Sequence, residues 1–391
     1  MLKIAYLYNL DASSPAVQSG RPASILRQLQ ALGNQIVPVF PLEARPSNGS
    51  TVKKAIYRAF GRYYRGDRDP HYLLAMAAEF GRRTRGQAFD LVFSPGSEAV
   101  SHLDVPQPVT FCADATFANM LDYYWDFSSL SEDYVRKGHE QESNALRRAA
   151  LAVYPSSWAA RSAVDVYGAD PAKVAVIPFG ANLGATNRRD QVNRWISGRR
   201  FETIRLLFVG KAWTRKGGNI VVETAKRLMA RGFLVNLDVV SSEMPPEFGL
   251  LPWVTHHVYL DPNLPGPAAV LADLFKGAHF LFIPSRAEAY GLAFAEASAF
   301  GLPSVGTDTG GIPSVVTTGI NGFTLPLSAG APDFADRIGS LFSNREQYDL
   351  ICRKSFDEFE RRLNWKTFCE RFLEVAQQAC PQVSHPTEGI A

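Results

Sequence analysis

Cysteine is scarce in this chain of 391 residues: there are four, Cys112, Cys352, Cys369 and Cys380, with no CxxC pair and no histidine at a metal-ligand spacing. That pattern excludes a zinc ribbon and a disulfide-stapled secreted scaffold, and the expectation is reduced thiols in a cytoplasmic protein. Charge of one sign is missing too. Lysine plus arginine number 41 against 38 aspartate plus glutamate, so no overall basic excess marks a nucleic-acid binder. No apolar run approaches the ~20 residues that span a bilayer. The opening MLKIAYLYNL turns polar at once and reads as a first buried strand, not as a leader or anchor.

What is present is the composition of a packed protein, 46% apolar and 12% aromatic, on a chain long enough for two domains of roughly 150–200 residues. Strand-length apolar runs recur between helical stretches at Lys3 to Asn9, Gln35 to Leu42, Asp90 to Ser94, Val109 to Cys112, Leu151 to Tyr154 and Val174 to Ile177. A second series follows at Ile204 to Val209, Leu234 to Val240, His279 to Ile283, Ser304 to Val305 and Gly322 to Pro326. Runs of this kind are strands buried on both faces of parallel sheets, so two α/β units are expected. Residues 1–185 and 201–355 form those units in this reading. The polar, basic stretch Gly184 to Arg200 connects them, a helix over 356–380 closes the chain, and the 381–391 tail is frayed.

One segment departs from neutrality. From Lys53 to Arg85 nine basic residues face three acidic ones, and Tyr57, Phe60, Tyr63 and Tyr64 are interleaved with them. Lys54, Arg58, Arg62 and Arg65 recur at three- and four-residue spacing, which on a helix makes a basic stripe. It is either a solvated face or a contact for an anionic lipid surface. Asp67-Arg68-Asp69, within this stretch, reads as a charge-balancing pair rather than a metal-binding DxD.

The most informative stretch is FIPSRAEAYGLAFAEASAFGLP from Phe282 to Pro303: a strand, a loop with Glu288, and a helix starting near Gly291. Glu288 and Glu296 are eight residues apart, about 12 Å along a helix, so both carboxylates can address one elongated ligand. One carboxylate suits paired ribose hydroxyls and the other a sugar, with the N–H groups around Gly291 and Leu292 and the positive helix end suited to a diphosphate between them. A second stretch, LFVGKAWTRKGGN from Leu207 to Asn219, ends a strand at Gly210 and follows it with Lys211, Arg215 and Lys216. Cations there suit the charge that grows on a diphosphate leaving group.

These stretches resemble the retaining glycosyltransferases of family 4, whose GT-B fold sets two Rossmann-like domains facing across a cleft. The resemblance rests on a G-(R/K)-x4-K-G element, here Gly210, Lys211, Lys216 and Gly217, and an E-x7-E element, here Glu288 and Glu296. Gly310-Gly311-Ile312-Pro313, Pro178-Phe179-Gly180 and Asn321-Gly322 add to it. The resemblance implies that Lys211 and Lys216 bind the donor diphosphate, Glu288 the transferred sugar and Glu296 the ribose, with Gly291, Leu292, Gly310 and Gly311 lining the same site. In the first domain it implies Gly20 at a diphosphate-approaching turn and Asp114 at the reacting sugar, although Ala113 stands where the family has histidine.

The implied activity is a metal-independent transfer of a hexose, with retention, from a UDP-, GDP- or ADP-sugar to a glycan, lipid-linked or small-molecule acceptor, without a cofactor. A non-catalytic nucleotide-sugar sensor and an epimerase or phosphorylase on the same fold are the alternatives. Histidines 71, 102, 139, 256, 257 and 279 show no ligand-like spacing, and Glu140 and Glu142 receive no catalytic role.

Overall fold

The computed structural model describes residues 1–45 and 47–380; the 381–391 tail lies outside them. The chain folds as two compact units, Met1–Ile177 joined by the segment from Cys369 onward, and Pro178–Phe368.

In the first unit six parallel strands, β1 (Lys3–Leu7), β2 (Gln35–Val39), β3 (Leu91–Ser94), β4 (Val109–Cys112), β5 (Leu151–Tyr154) and β6 (Val174–Val176), lie in the order β2-β1-β3-β4-β5-β6. The central strands are buried on every residue, as their unbroken apolar runs require. The core contains Val92, Phe111, Tyr154 and Phe80. The last helix, Trp365–Ala379, supplies Phe372, whose ring sits 4.9 Å from that of Phe93. The second unit repeats the plan with β7 (Thr203–Val209), β8 (Leu234–Val240), β9 (Val254–His257), β10 (Phe280–Ile283), β11 (Ser304–Asp308) and β12 (Gly322–Pro326), ordered β12-β11-β10-β7-β8-β9 and again all parallel.

Each sheet reverses its winding once. The chain runs from β1 outward to β2 and then returns to β3 on the other side of β1; it runs from β7 through β8 to β9 and returns to β10 on the other side of β7. In doubly wound sheets the crevice at the carboxyl ends of the two strands flanking such a reversal is where ligands bind. Those crevices lie beyond β1 and β3, and beyond β7 and β10.

Four expectations need correction. The 184–200 stretch is not only a connection: it contains the helix Arg189–Gly198, which buries Val192 and Ile196 and stacks Trp195 on Phe300. Arg199 after it is buried and donates to the carbonyls of Phe300 and Gly301, the free C-terminal end of a helix. β9 was not expected, because its VTHH sequence has no apolar run and an edge strand buries little. The basic stripe does not follow one helix. The helix Asn48–Ala59 carries Lys54 and Arg58, whereas Arg62 and Arg65 lie in the turn beyond it. The C-terminal stretch is broken at Arg362–Asn364 into the helices Arg345–Arg361 and Trp365–Ala379.

Candidate functional site

In the second unit the site is built at the winding reversal. β7 ends at Val209 and the loop 210–217 leads into the helix Gly218–Ala230; β10 ends at Ile283 and the loop 284–291 leads into the helix Leu292–Ala299. The two loops are joined through their backbones. The Arg286 N–H donates to the Arg215 carbonyl at 2.7 Å, and the Arg215 guanidinium donates to the Ala287 carbonyl at 2.8 Å.

Both helices begin from a glycine in the left-handed region, Gly217 at φ 79° and Gly291 at φ 89°, and no side chain caps either end. A Cβ at Gly217 would lie 2.2 Å from the Pro284 carbonyl oxygen, so only glycine lets the first loop approach the second this closely. The result is two positive helix ends with uncapped N–H groups beside three cations, Lys211, Arg215 and Lys216.

Glu288 is the anion of this cluster. Its carboxylate takes Lys216 as an ion-pair partner and lies 3.5 Å from the Arg215 guanidinium. Both Lys216 and Glu288 are largely buried, so the pair is weakly screened. The Gly310-Gly311 turn joins the same cluster, because the Gly311 N–H donates to the Glu288 carbonyl at 3.0 Å. Gly210 lies against Lys216: a Cβ there would stand 2.9 Å from Lys216 Cγ. The structure therefore brings Gly210, Lys216, Glu288, Gly291, Leu292, Gly310 and Gly311 into one place. Lys211 is exposed at its edge.

Glu288 precedes the helix, so a helical rise does not measure its separation from Glu296. Glu296 is on the helix itself, facing the loop after β6, where the Leu183 N–H donates to it at 3.4 Å. Burial, partly offset by the backbone N–H groups of Leu183 and Asn182, pushes its carboxyl up to about 7. Arg215, at an unspecified position of the first motif, proves to be a bridge: from the first loop its guanidinium reaches both the Ala287 carbonyl and the Glu288 carboxylate of the second.

In the first unit, Gly20 stands at φ 78° before the helix Arg21–Ala31, and the residues before it, Gln18 and Ser19, also have positive φ. Left-handed backbone at two non-glycine residues costs on the order of 1 kcal/mol each, a strain that clusters at functional turns. Arg21 was missed by the sequence reading. A cation at the first position of a helix opposes the helix dipole, and that misfit was the available signal. It is buried, donating to the carbonyls of Cys112 at 3.3 Å and Pro95 at 3.0 Å. Asp114 is exposed just beyond β4.

Several other polar groups singled out in the sequence have structural partners. Asp67 accepts from the Tyr134 hydroxyl at 2.9 Å, and Asp69 caps the helix Pro70–Arg83 and accepts from Tyr64 and Lys137. Glu140 and Glu142 lie inside the helix Glu132–Arg148. Glu140 pairs with Arg136 on the surface. Glu142 is buried, accepts from Ser97 at 2.9 Å, and is pushed up to about 7 by burial. His102, His139 and His256 bond Ser101, Tyr167 and the Ser241 carbonyl. Among the described residues no three His, Cys, Asp or Glu side chains group as a metal cage. A surface recess lined by Phe40, Pro41, Glu79 and Arg83 is unconnected with these motifs, and its Glu79 carboxylate accepts the N–H groups of Glu43 and Ala44.

This arrangement, two doubly wound parallel units with a cationic, glycine-shaped crevice in the second, is that of the GT-B fold. The chain belongs to glycosyltransferase family 4: residues 23–184 match the model described as Glycosyltransferase Family 4, and residues 203–344 match the one described as Glycosyl transferases group 1.

Among similar proteins is a D-inositol 3-phosphate glycosyltransferase of Kribbella flavida, 32% identical over 232 residues, covering 56% of this chain and 54% of that one. Another, of Paenarthrobacter aurescens, is 28% identical over 62% of this chain and 61% of that one. The chain spans about half the length of the curated relatives it matches. Among solved structures, sucrose-phosphate synthase from Thermosynechococcus elongatus is similar with a TM-score of 0.69 at 16% identity, over 97% of this chain and 99% of that one. HepE from Anabaena, solved in complex with UDP-glucose, has a TM-score of 0.61 at 14% identity, over 97% and 100%. These structural likenesses bear on the fold alone.

Proposed function

We propose that this protein transfers a sugar from a nucleotide-sugar donor to an acceptor hydroxyl, without a metal and with retention of configuration at the anomeric carbon. The observation that carries the reading is the crevice beyond β7 and β10, where Lys216, Arg215 and two uncapped helix ends surround Glu288. A departing nucleoside diphosphate gains negative charge as the glycosidic bond breaks. Cations and helix N-termini placed there stabilise that charge as a divalent metal does elsewhere. Glu288, tethered by both cations, is held to accept hydroxyls of the transferred sugar, and Glu296 to accept those of the ribose.

Attack by the acceptor on the face the nucleotide leaves gives retention. Its proton passes to a diphosphate oxygen, which requires no protein base and suits a first unit with Ala113 where the family has histidine. A UDP-sugar is the first donor to test, since a neighbour of the same fold was solved with UDP-glucose; GDP- and ADP-sugars fit the same cluster. Incubation with UDP-glucose and a panel of sugar and polyol acceptors, followed by proton NMR of the product, tests the reading. An α-linked glucoside formed in the presence of a chelator is expected. A β-linked product, or a donor converted to an epimer or to a sugar phosphate, contradicts it.

The reading includes a cytoplasmic protein resting on an anionic membrane. No described helix is long and apolar enough to cross one. The first unit, however, displays Val52, Ile56, Phe60 and Tyr63 on or just after the helix Asn48–Ala59, with Phe60 78% exposed, beside the exposed cations Lys54, Arg58 and Arg62. No acidic residue occurs between Glu43 and Asp67. The neighbouring loop, tied to Tyr63 by backbone hydrogen bonds of 2.9 and 2.8 Å to Ser129 and Ser131, holds Trp125 at 80% exposure. Aromatic tips and cations on one surface suit the headgroup region of an anionic bilayer. Vesicles containing phosphatidylglycerol should retain the protein at low salt and release it at high salt. Equal retention by neutral vesicles, or none at low salt, contradicts the idea.

A further inference from the structure

The crevice of the first unit lies beyond β1 and β3, by the same winding rule that locates the site of the second. Three strand ends deliver side chains to it: Tyr8 and Asn9 follow β1, Glu98 follows β3 and Asp114 follows β4. Glu98 and Asp114 both act on the Tyr8 phenol. Burial raises that phenol well above its usual range, Arg21 opposes the rise, and the two carboxylates add to it. Tyr72, which shares a hydrogen bond with Asn9, also feels Glu98. Glu98 and Tyr8 lie side by side, since one oxygen of Glu98 and the ring of Tyr8 are both within 3.5 Å of where a Cβ on Gly96 would stand.

Glu98 is the unusual member. Its side chain is 30% exposed, and one carboxylate oxygen accepts from the Arg68 guanidinium at 3.1 Å. Arg68 itself is 4% exposed, held by Gln141 and lying over the ring of Phe117. Gln141 donates to Ser97 at 3.2 Å, and Ser97 donates to Glu142. A buried polar chain thus fixes one face of a carboxylate whose other face remains open. Gly96 leaves that face clear: a Cβ there would stand 3.0 Å from the second Glu98 oxygen and 3.5 Å from the Tyr8 ring.

A carboxylate held on one oxygen and open on the other is an acceptor for paired hydroxyls, and phenols beside it both donate and accept. Arg68 offsets the Glu98 charge but is taken up in that pair, and the other cation of the crevice is engaged elsewhere. Arg68 is turned onto Gln141 and Glu98, and Arg21 onto the carbonyls of Cys112 and Pro95. A phosphate entering here would meet two carboxylates with both guanidinium groups directed into the protein, and like charges brought together in a crevice repel.

We propose that Glu98, positioned by Arg68, reads the acceptor in the first unit, and that this acceptor is an uncharged polyol rather than a phosphate ester. The inference deepens the proposed transferase reading and names the substrate class of its second half. It also separates this chain from relatives named for inositol 3-phosphate.

Direct binding tests it without requiring turnover. Saturation-transfer NMR on the full chain, with myo-inositol, methyl α-glucoside and myo-inositol 3-phosphate as probes and UDP present, should show binding of at least one uncharged probe and a tenfold or weaker response to the phosphate. Glu98→Gln keeps the shape and an acceptor for Arg68 but removes the charge. It should weaken the uncharged probe about tenfold and narrow its advantage over the phosphate, while the melting shift produced by UDP, which depends on the second unit, stays as in the unmodified chain. Preferred binding of inositol 3-phosphate, binding of no probe, or an affinity for the uncharged probe within twofold in Glu98→Gln overturns the proposal. A missing UDP shift in the unmodified chain tells instead against the transferase reading, and the polyol comparison is then decided by the same probes without nucleotide.

Discussion

Lys216→Ala should lower turnover by two to three orders of magnitude while the protein still folds. The ammonium pairs with Glu288 beside two uncapped helix ends, where in the proposed transfer charge grows on the departing diphosphate. Removing one preorganised donor from such a position costs about 2.7–4 kcal/mol of transition-state stabilisation, or 10²–10³ in rate. Stability should suffer less, by about 1–3 kcal/mol, because Arg215 at 3.5 Å remains to balance the Glu288 carboxylate. Lys216→Arg, which keeps the charge but spreads it over a wider planar group, should recover part of the rate. Steady-state kinetics with thermal melts of both variants decide it. A turnover within threefold of the unmodified protein would remove Lys216 from the chemistry.

The second large effect is a dependence on pH that one residue controls. The Glu296 carboxyl is shifted from its ordinary 4.5 to about 7 by burial, only partly relieved by the backbone N–H groups of Leu183 and Asn182. The folded form therefore holds a proton between these values that the unfolded chain has released. Stability falls as pH rises from about 4.5 through 7, reaching a loss of about 3 kcal/mol once the group is ionised in place. Glu296→Gln imitates the protonated form and should abolish its share of that fall. Glu142, also near 7, keeps its own share, so the difference between the two curves isolates Glu296.

Ligand binding should move the opposite way. The ionised carboxylate is the stronger acceptor for two ribose hydroxyls, so nucleotide affinity should rise about tenfold from pH 6 to 8 in the unmodified protein and stay flat in Glu296→Gln. Melting curves from pH 5 to 8, with and without UDP, read both. A variant whose stability parallels the unmodified protein across that range would contradict the assignment.

Much of this was legible in the residues. β4, β5, β8 and β12 begin and end where the sequence places them, and β4 and β5, buried on every residue, have no polar positions to blur their ends. Of the G-K-x4-K-G and E-x7-E elements, Lys216 and Glu288 meet because both follow strand ends at the winding reversal, whereas Lys211 lies exposed at the edge and Glu296 faces Leu183. The sequence was silent where burial rather than pattern decides. The helix Arg189–Gly198 was hidden by its charges, although Val192 and Ile196 stand at helical spacing. β9 was hidden by its histidines. Arg68 reads as one member of an acidic-basic triplet, yet the fold buries it and turns it toward a residue thirty positions away. Long-range partners of that kind, like the bridging of Arg215 between two loops, have no local signature.

The central claim is that the crevice beyond β7 and β10 holds a nucleoside diphosphate through Lys216 and the glycine-started helices. Its most direct measurement is the thermal melting of the full chain titrated with UDP, GDP and ADP, alongside Lys216→Ala. A ligand that binds only the folded form stabilises it by about 2.7 kcal/mol at a hundred times its dissociation constant. The account predicts a saturable rise in melting temperature with one of the three, most of it lost in Lys216→Ala. No rise with any of them at millimolar concentration, or an equal rise in Lys216→Ala, would contradict it.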